Sequence, residues 1–246
     1  MANNKIILNP AVVARTLGVI AFVLVVAGVG GQLAKYLWGH PRLFGLVRLF
    51  DVNNEQNIPA IFSAFLLLFA ASLLAVITIF KNRQRDIDVS KWAVLSLGFL
   101  FMAVDEATSI HENLTGPMRG LLGLSEGGLG FFYFTWVIAG IAIALVLGLY
   151  FLGFLLRLPE KTRFFFIDAA TLFLSGAIGL ELIGGRYFEL HGLNLTYNMI
   201  TTVEETLEMA GIIVFIYALL NYIAANYQEV QFGFGDSEGG IAIAKS

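Results

Sequence analysis

V-D-E-A-T-S-I-H-E-N, residues 104–113, closes an apolar run that begins at Trp92. The run is long enough to cross a bilayer, yet its end carries Asp105, Glu106, His111 and Glu112. A charged side chain at the membrane centre costs about 2.5–3.5 kcal/mol or more, so intramembrane acids mark sites rather than scaffolding. This stretch predicts two things together: a membrane-spanning helix, and chemistry at one end of it.

The rest of the chain is equally apolar. Of 246 residues, 58% are hydrophobic and 13% charged, with a mean hydropathy of +0.79, whereas soluble domains are about 45–50% apolar and about 25% charged. Cysteine is absent, which excludes disulfides, thiolate metal sites, iron–sulfur clusters and covalent haem. Any metal would be held by oxygen and nitrogen. A net charge of −3 without a basic patch gives no reason to expect nucleic acid as a partner. The partner implied is the lipid bilayer, with other membrane subunits left open.

Apolar segments of about 20 residues suit a hydrocarbon core of about 30 Å. They occur at residues 11–38, 59–81, 92–113, 129–157, 164–190 and 197–227, predicting an all-α, polytopic bundle of six transmembrane helices. Residues 1–227 form one bundle and residues 228–246 a polar, glycine-rich tail. The first apolar run is too long for a signal peptide and lacks a small-x-small cleavage pattern, so it reads as a retained helix. Basic residues cluster on one side (Lys5, Arg15, Lys81, Arg83, Arg85, Lys91, Arg157, Lys161, Arg163, Lys245), while Lys35, Arg42, Arg48, Arg119 and Arg186 fall toward the other. The positive-inside rule then makes both termini cytoplasmic.

Two outer connections differ in character. P-R-L-F-G-L-V-R-L-F, residues 41–50, alternates basic and bulky apolar residues and predicts a short helix in the interface. Residues 114–130 hold six glycines and a proline, predicting an irregular segment.

With that orientation, the acids of the third, fifth and sixth helices share the outer half of the bilayer. At 100° per residue, Asp105, Ser109 and Glu112 lie within an arc of about 60°, with Glu106 and His111 on either side. Thr201, Glu204, Glu205 and Glu208 occupy an arc of about 100° on the sixth helix, and Gly211 below them permits a close neighbour. Glu181 shares a face with Gly184, Gly185 and Phe188, which likewise admits a partner helix. Eight acids (Asp105, Glu106, Glu112, Glu181, Glu189, Glu204, Glu205, Glu208) face Arg186 and His111, with His191 at the mouth. Ion pairing cannot balance them. They must hold protons, surround a cation, or reach water, and Glu112, Glu189 and Glu204 are the ones placed near the interface.

A cation site would use Asp105, Glu112, Glu181, Glu205 and Glu208, with His111 and Glu106 behind them, a donor set that suits a divalent ion such as manganese, iron, zinc or calcium. Otherwise no cofactor is implied. Neither H-E-x-x-H nor the repeated Glu-x-x-His of di-iron bundles is present. The same residues suit a proton or cation pathway for coupled transport. Ala103-Val-Asp-Glu-Ala-Thr and Thr202-Val-Glu-Glu-Thr-Leu run in opposite directions, as the halves of an inverted repeat would, though a match this short also arises by chance. A membrane metalloenzyme acting from the outer side is one alternative, and a non-catalytic subunit whose acids bond to threonines and Tyr187 is another. Asp51 reads as a turn residue, Glu55 as a turn residue or a lid on the site, and the aromatic group Phe131–Phe134 with Trp136 as interfacial anchoring.

F-D-V-N-N-E-Q-N-I-P at residues 50–59, D-E-A-T-S-I-H-E at 105–112 and V-E-E-T-L-E-M-A-G at 203–211 together resemble a family of small, uncharacterised bacterial multi-pass membrane proteins. The resemblance spans most of the chain and brings no activity with it. It implies a bacterial cytoplasmic, or thylakoid, membrane. The alkaline ceramidase type of membrane hydrolase is not matched, because the several histidines that would hold zinc are missing.

Overall fold

The computed structural model describes residues 9–52, 57–123 and 129–227, with the backbone of 229–231 and 242–244. Each of the six apolar runs folds as helix, and a side-chain cap sets where three of them begin. Asn9 opens α1 (Pro10–Leu37) by accepting the amide of Ala11 at 3.0 Å, and Pro10 sits at the first helical position, where its missing N–H is harmless. Asn57 caps α3 (Ile58–Arg83) and Asn194 caps α9 (Leu195–Asn226) by the same side-chain bond, to Ala60 and Tyr197. Among the described residues five helical spans are long and apolar enough to cross a membrane, and a sixth exists if one bent pair is counted as a single span.

α9 is the hub, with α1, α3 and the helical stretch 160–191 packed around it. Two glycines let α7 (Glu160–Leu174) and its continuation come close. A Cβ on Gly211 would stand 2.8 Å from the Ala169 carbonyl oxygen and the Phe173 nitrogen, and one on Gly176 would stand 2.7 Å from the Glu204 carbonyl oxygen. The core beneath is aromatic: Trp92, 1% exposed, meets Phe154 edge-on at 5.0 Å and Tyr222 at 5.0 Å, and Phe99 stacks on Phe215 at 4.7 Å. This core fills the end of the bundle where α1 begins, here the near end.

Toward the far end the helices break. The third run is not one helix: α4 (Val89–Thr108) stops, Ser109 takes a left-handed conformation (φ 56°), and α5 (Ile110–Leu121) leaves at 84°. Residues 110–121, the last four residues of that run and the start of the connection expected to be irregular, are therefore a second helix; residues 124–128 lie outside the described residues. α6 begins at Trp136 rather than near 129, after a single 3-10 turn (Gly130–Phe132), and runs to Arg157. α7 passes through a π turn (Ser175–Leu180) into α8 (Glu181–His191), which inserts extra backbone immediately before Glu181.

The expected interfacial segment is a 3-10 turn (Leu43–Gly45) and a short α2 (Leu46–Phe50) folded back on α1. A Cβ on Gly28 would meet the Phe50 carbonyl oxygen at 2.7 Å, and one on Gly31 the Val47 Cα at 3.4 Å. Phe50 thus returns to the level of Gly28, nine residues or about 13 Å below the end of α1. Asp51 is buried, and its carbonyl accepts a 2.6 Å bond from Asn57. Glu55 lies outside the described residues. In the tail, Glu229–Gln231 pairs antiparallel with Ala242–Ala244.

Candidate functional site: an acidic cavity beneath the helix break

At the end of α4, Asp105 holds the break in place. Its Oδ1 accepts the His111 amide N–H at 2.9 Å and its Oδ2 lies 2.7 Å from His111 Nδ1. One carboxylate from the preceding helix therefore caps the first turn of α5 and fixes the imidazole, whose ring packs against Trp136 at 4.7 Å. An Nδ1–H donating to Asp105 leaves Nε2 for the interior. The 60° stripe expected of Asp105, Ser109 and Glu112 does not exist, because the helix ends between them. Asp105 and Glu112 still reach one place from either side of the bend.

That place is a cavity of about 560 Å³. Asp105 and Glu106 reach it from α4, His111 and Glu112 from α5, Glu181 from α8, and Glu204, Glu205 and Glu208 from α9. The structure thus sets all seven sequence-predicted site residues, with Glu204, on the wall of a single cavity. Glu106 and Glu181 lie within electrostatic reach of both Glu205 and Glu208. The Glu181 and Glu204 carboxyl groups face each other within hydrogen-bonding reach, and Trp136 Nε1–H donates to Glu181 Oε1 at 2.8 Å. Among the described residues lining the cavity there is no lysine or arginine.

Glu204 and Glu189 depart from their expected surroundings. Glu204, expected near solvent, is 7% exposed and buried against the π turn. Glu189, counted with the converging acids, works elsewhere: it accepts the amides of Leu129 and Gly130 at 2.9 and 3.1 Å and pairs with Arg186 at 2.8 Å, tying α8 to the start of the α6 segment. Glu112 is exposed at the rim, as its position near the interface suggested. His191 is exposed and stacks on Tyr187, and His40 is exposed as well.

Sequence reading missed Trp136, which it placed in an interfacial girdle. An indole inside a fold needs an acceptor for its N–H, and that requirement was the available signal. Gly176 was missed too. Its lack of a side chain is what allows α9 to carry Glu204 and Glu208 against the π turn, where a Cβ would sit 2.9 Å from Glu208 Cγ.

A family model described as a domain of unknown function (DUF8692) matches residues 16–223. The chain belongs to this family. The matched span includes the three motifs on which the resemblance to an uncharacterised membrane-protein family rests, and it includes every residue of the cavity wall. No curated protein and no solved structure matches the chain.

As a metal site the wall fits poorly. Among the described residues no three histidine, aspartate or glutamate side chains come together as a ligand group. Both Asp105 oxygens are engaged by His111, and Glu181 is engaged by Trp136 and Glu204. What the arrangement offers is a group of neighbouring proton-binding side chains around one cavity. The Glu181 and Glu204 carboxyls are neighbours, and the remaining carboxyls and the His111 ring line the same space.

Proposed function

We propose that the chain is an integral membrane protein of the bacterial cytoplasmic (or thylakoid) membrane, with both termini cytoplasmic, that takes up and releases protons or exchanges them for a cation in this cavity. The far end of the bundle is then the outer half of the bilayer, and the coupled movement of a solute is the use that best suits such a site. The observation that carries the reading is the facing pair Glu181 and Glu204, set in a wall of seven acids without a basic residue among the described lining. Carboxylates crowded together without a base repel one another, and membrane-embedded acids grouped in this way are the working parts of proton relays and coupled transporters. The helix break at Ser109 and the π turn support it further, since irregular backbone within spans of this kind lines cavities.

Infrared difference spectroscopy of the protein in nanodiscs tests the reading. A protonated-carboxyl band at neutral pH is expected in the wild type and is expected to weaken in Glu204→Gln. Absence of that band overturns the proposal. So does a stoichiometric metal in the purified protein that Glu205→Gln loses, because the acids would then be ligands.

A further inference from the structure

The cavity has two unlike halves. Glu181, Glu204, Glu205 and Glu208 line one end, whereas Met102, Ile143, Leu147, Phe173 and Leu174 line the other. Proton handling alone gives no use for the second half, which is a wall for hydrocarbon.

The apolar half is also open. Ile143 lines the cavity and yet is 59% exposed, and Leu147 and Leu174 are exposed as well. The cause lies in α6, where the only buried residues are Val137, Phe151 and Phe154, and where Ala142, Ile143 and Leu145 to Leu149 are exposed. Leu147 lies 11 residues from Trp136 and 10 from Arg157, midway along the span, and Leu174 is 14 residues into the helix that starts at Glu160. The opening between α6 and the end of α7 is therefore at mid-span, facing the bilayer interior, while the acids lie toward the outer end.

Resting on the membrane-spanning reading above, we propose that the cavity admits an amphiphilic amine from the lipid through the gap between α6 and α7, with its ammonium among the carboxyl groups and its apolar body along α6. The size suits a small organic ligand, since such sites are about 300–1,000 Å³. The polar end supplies what an ammonium needs: carboxyl oxygens, and the rings of Trp136, Tyr197 and Phe134, which also line the cavity. A bare divalent ion would need several donors converging on one point, which the described residues do not form. An alkylammonium needs only one or two acceptors and a ring face. An amphiphile resting in the outer leaflet already has this orientation, charge outward and hydrocarbon at mid-bilayer.

The test uses the full chain in nanodiscs, tritiated 4-phenylbutylamine as probe, scintillation proximity as readout, and unlabelled 4-phenylbutanol as the uncharged competitor. Saturable amine binding is expected, the alcohol failing to compete, with a loss of about tenfold or more in Glu208→Gln and Glu205→Gln, the scale of a bond to a charged group. Ile143→Trp and Leu147→Trp place bulk in the gap at exposed positions, and both are expected to slow binding while thermal unfolding shows an intact fold. Equal competition by the alcohol, or amine binding indifferent to Glu208→Gln, overturns the amine assignment. Binding unaffected by both tryptophan variants overturns the lateral route. If the wild type shows the protonated-carboxyl band and binds no amine, only this inference falls; if the band is absent, the proton-handling reading falls with it.

Discussion

The near and far ends of the bundle handle polar groups in opposite ways. At the near end Trp92, Phe154, Phe166 and Tyr222 interlock, Lys81 pairs with Asp86 at 2.7 Å, and Arg157 Nε donates to Asp88 at 3.0 Å. At the far end α4 breaks at Ser109, α7 swells into a π turn, and seven acids share a cavity with one histidine. A fold that gathers its acids around broken helices at one end, and builds the other on interlocked aromatic rings with Asp86 and Asp88 each paired to a base, has separated stability from use. The near end supplies the packing that lets the far end remain unfavourable.

The largest expected effect follows directly. Trp92→Ala removes the ring that Phe154, Phe166 and Tyr222 close around, and should lower stability by about 3–5 kcal/mol, the scale for a buried large-to-small change. Denaturant unfolding in detergent, followed by circular dichroism, measures it. A loss under about 1 kcal/mol would mean that the aromatic core is not where stability resides.

Next in size is a pair of glycines. Gly176→Ala would drive a methyl group to 2.7 Å from the Glu204 carbonyl oxygen and 2.9 Å from Glu208 Cγ, so it should destabilise by about 1–3 kcal/mol. Gly148→Ala, on the clear stretch of α6 with nothing within 4 Å, should instead stabilise by about 0.4–1 kcal/mol through helix propensity and a less flexible unfolded chain. If both substitutions behave alike, the close seam between the π turn and α9 does not exist.

These elements were unequally legible in the sequence. Charges inside apolar runs stand out because lipid penalises them, so the convergence of Asp105, Glu106, His111, Glu112, Glu181, Glu205 and Glu208 could be read from run direction alone. The break at Ser109 was hidden, because hydropathy reports burial and is silent about a single left-handed residue. S-x-x-E at residues 109–112 is the spacing of a helix start, and it was the one local hint. In the structure Asp105, four residues earlier, does the capping that this motif assigns to the serine. The π turn in S-G-A-I-G-L left no mark, since an extra residue in a helix changes phase without changing composition. Glu204 was misplaced for the same reason: depth along a helix was readable, but the π turn that covers it was not.

The Asp105 clasp gives a smaller effect. Asp105→Ala leaves the His111 amide without its acceptor and should cost about 0.5–2 kcal/mol, as loss of a helix cap does. Asp105→Asn keeps one acceptor oxygen and should recover part of it. Hydrogen exchange at the start of α5 would show faster opening in the alanine variant, and equal exchange in both would assign the break to Ser109 alone.

The smallest expected effect belongs to the near end, where Asp86 is paired with Lys81. Burial disfavours the ionised form of Asp86, yet the Lys81 ammonium and the Asp88 amide outweigh it and hold the carboxyl below the ordinary range. A carboxylate whose value is depressed on folding adds stability that is complete above its unfolded value of about 3.9 and is lost as pH falls through the lower folded value. Asp86→Asn should therefore lower stability at pH 7 by at most about 1 kcal/mol, because the pair is partly solvated. The gap between variant and wild type should stay constant down to about pH 4 and close below it, where the wild-type carboxyl gains its proton. A gap that persists into acid would show that Asp86 acts through its bond to the Asp88 amide, which asparagine only partly replaces, and that the ion pair with Lys81 contributes nothing to the near end's advantage.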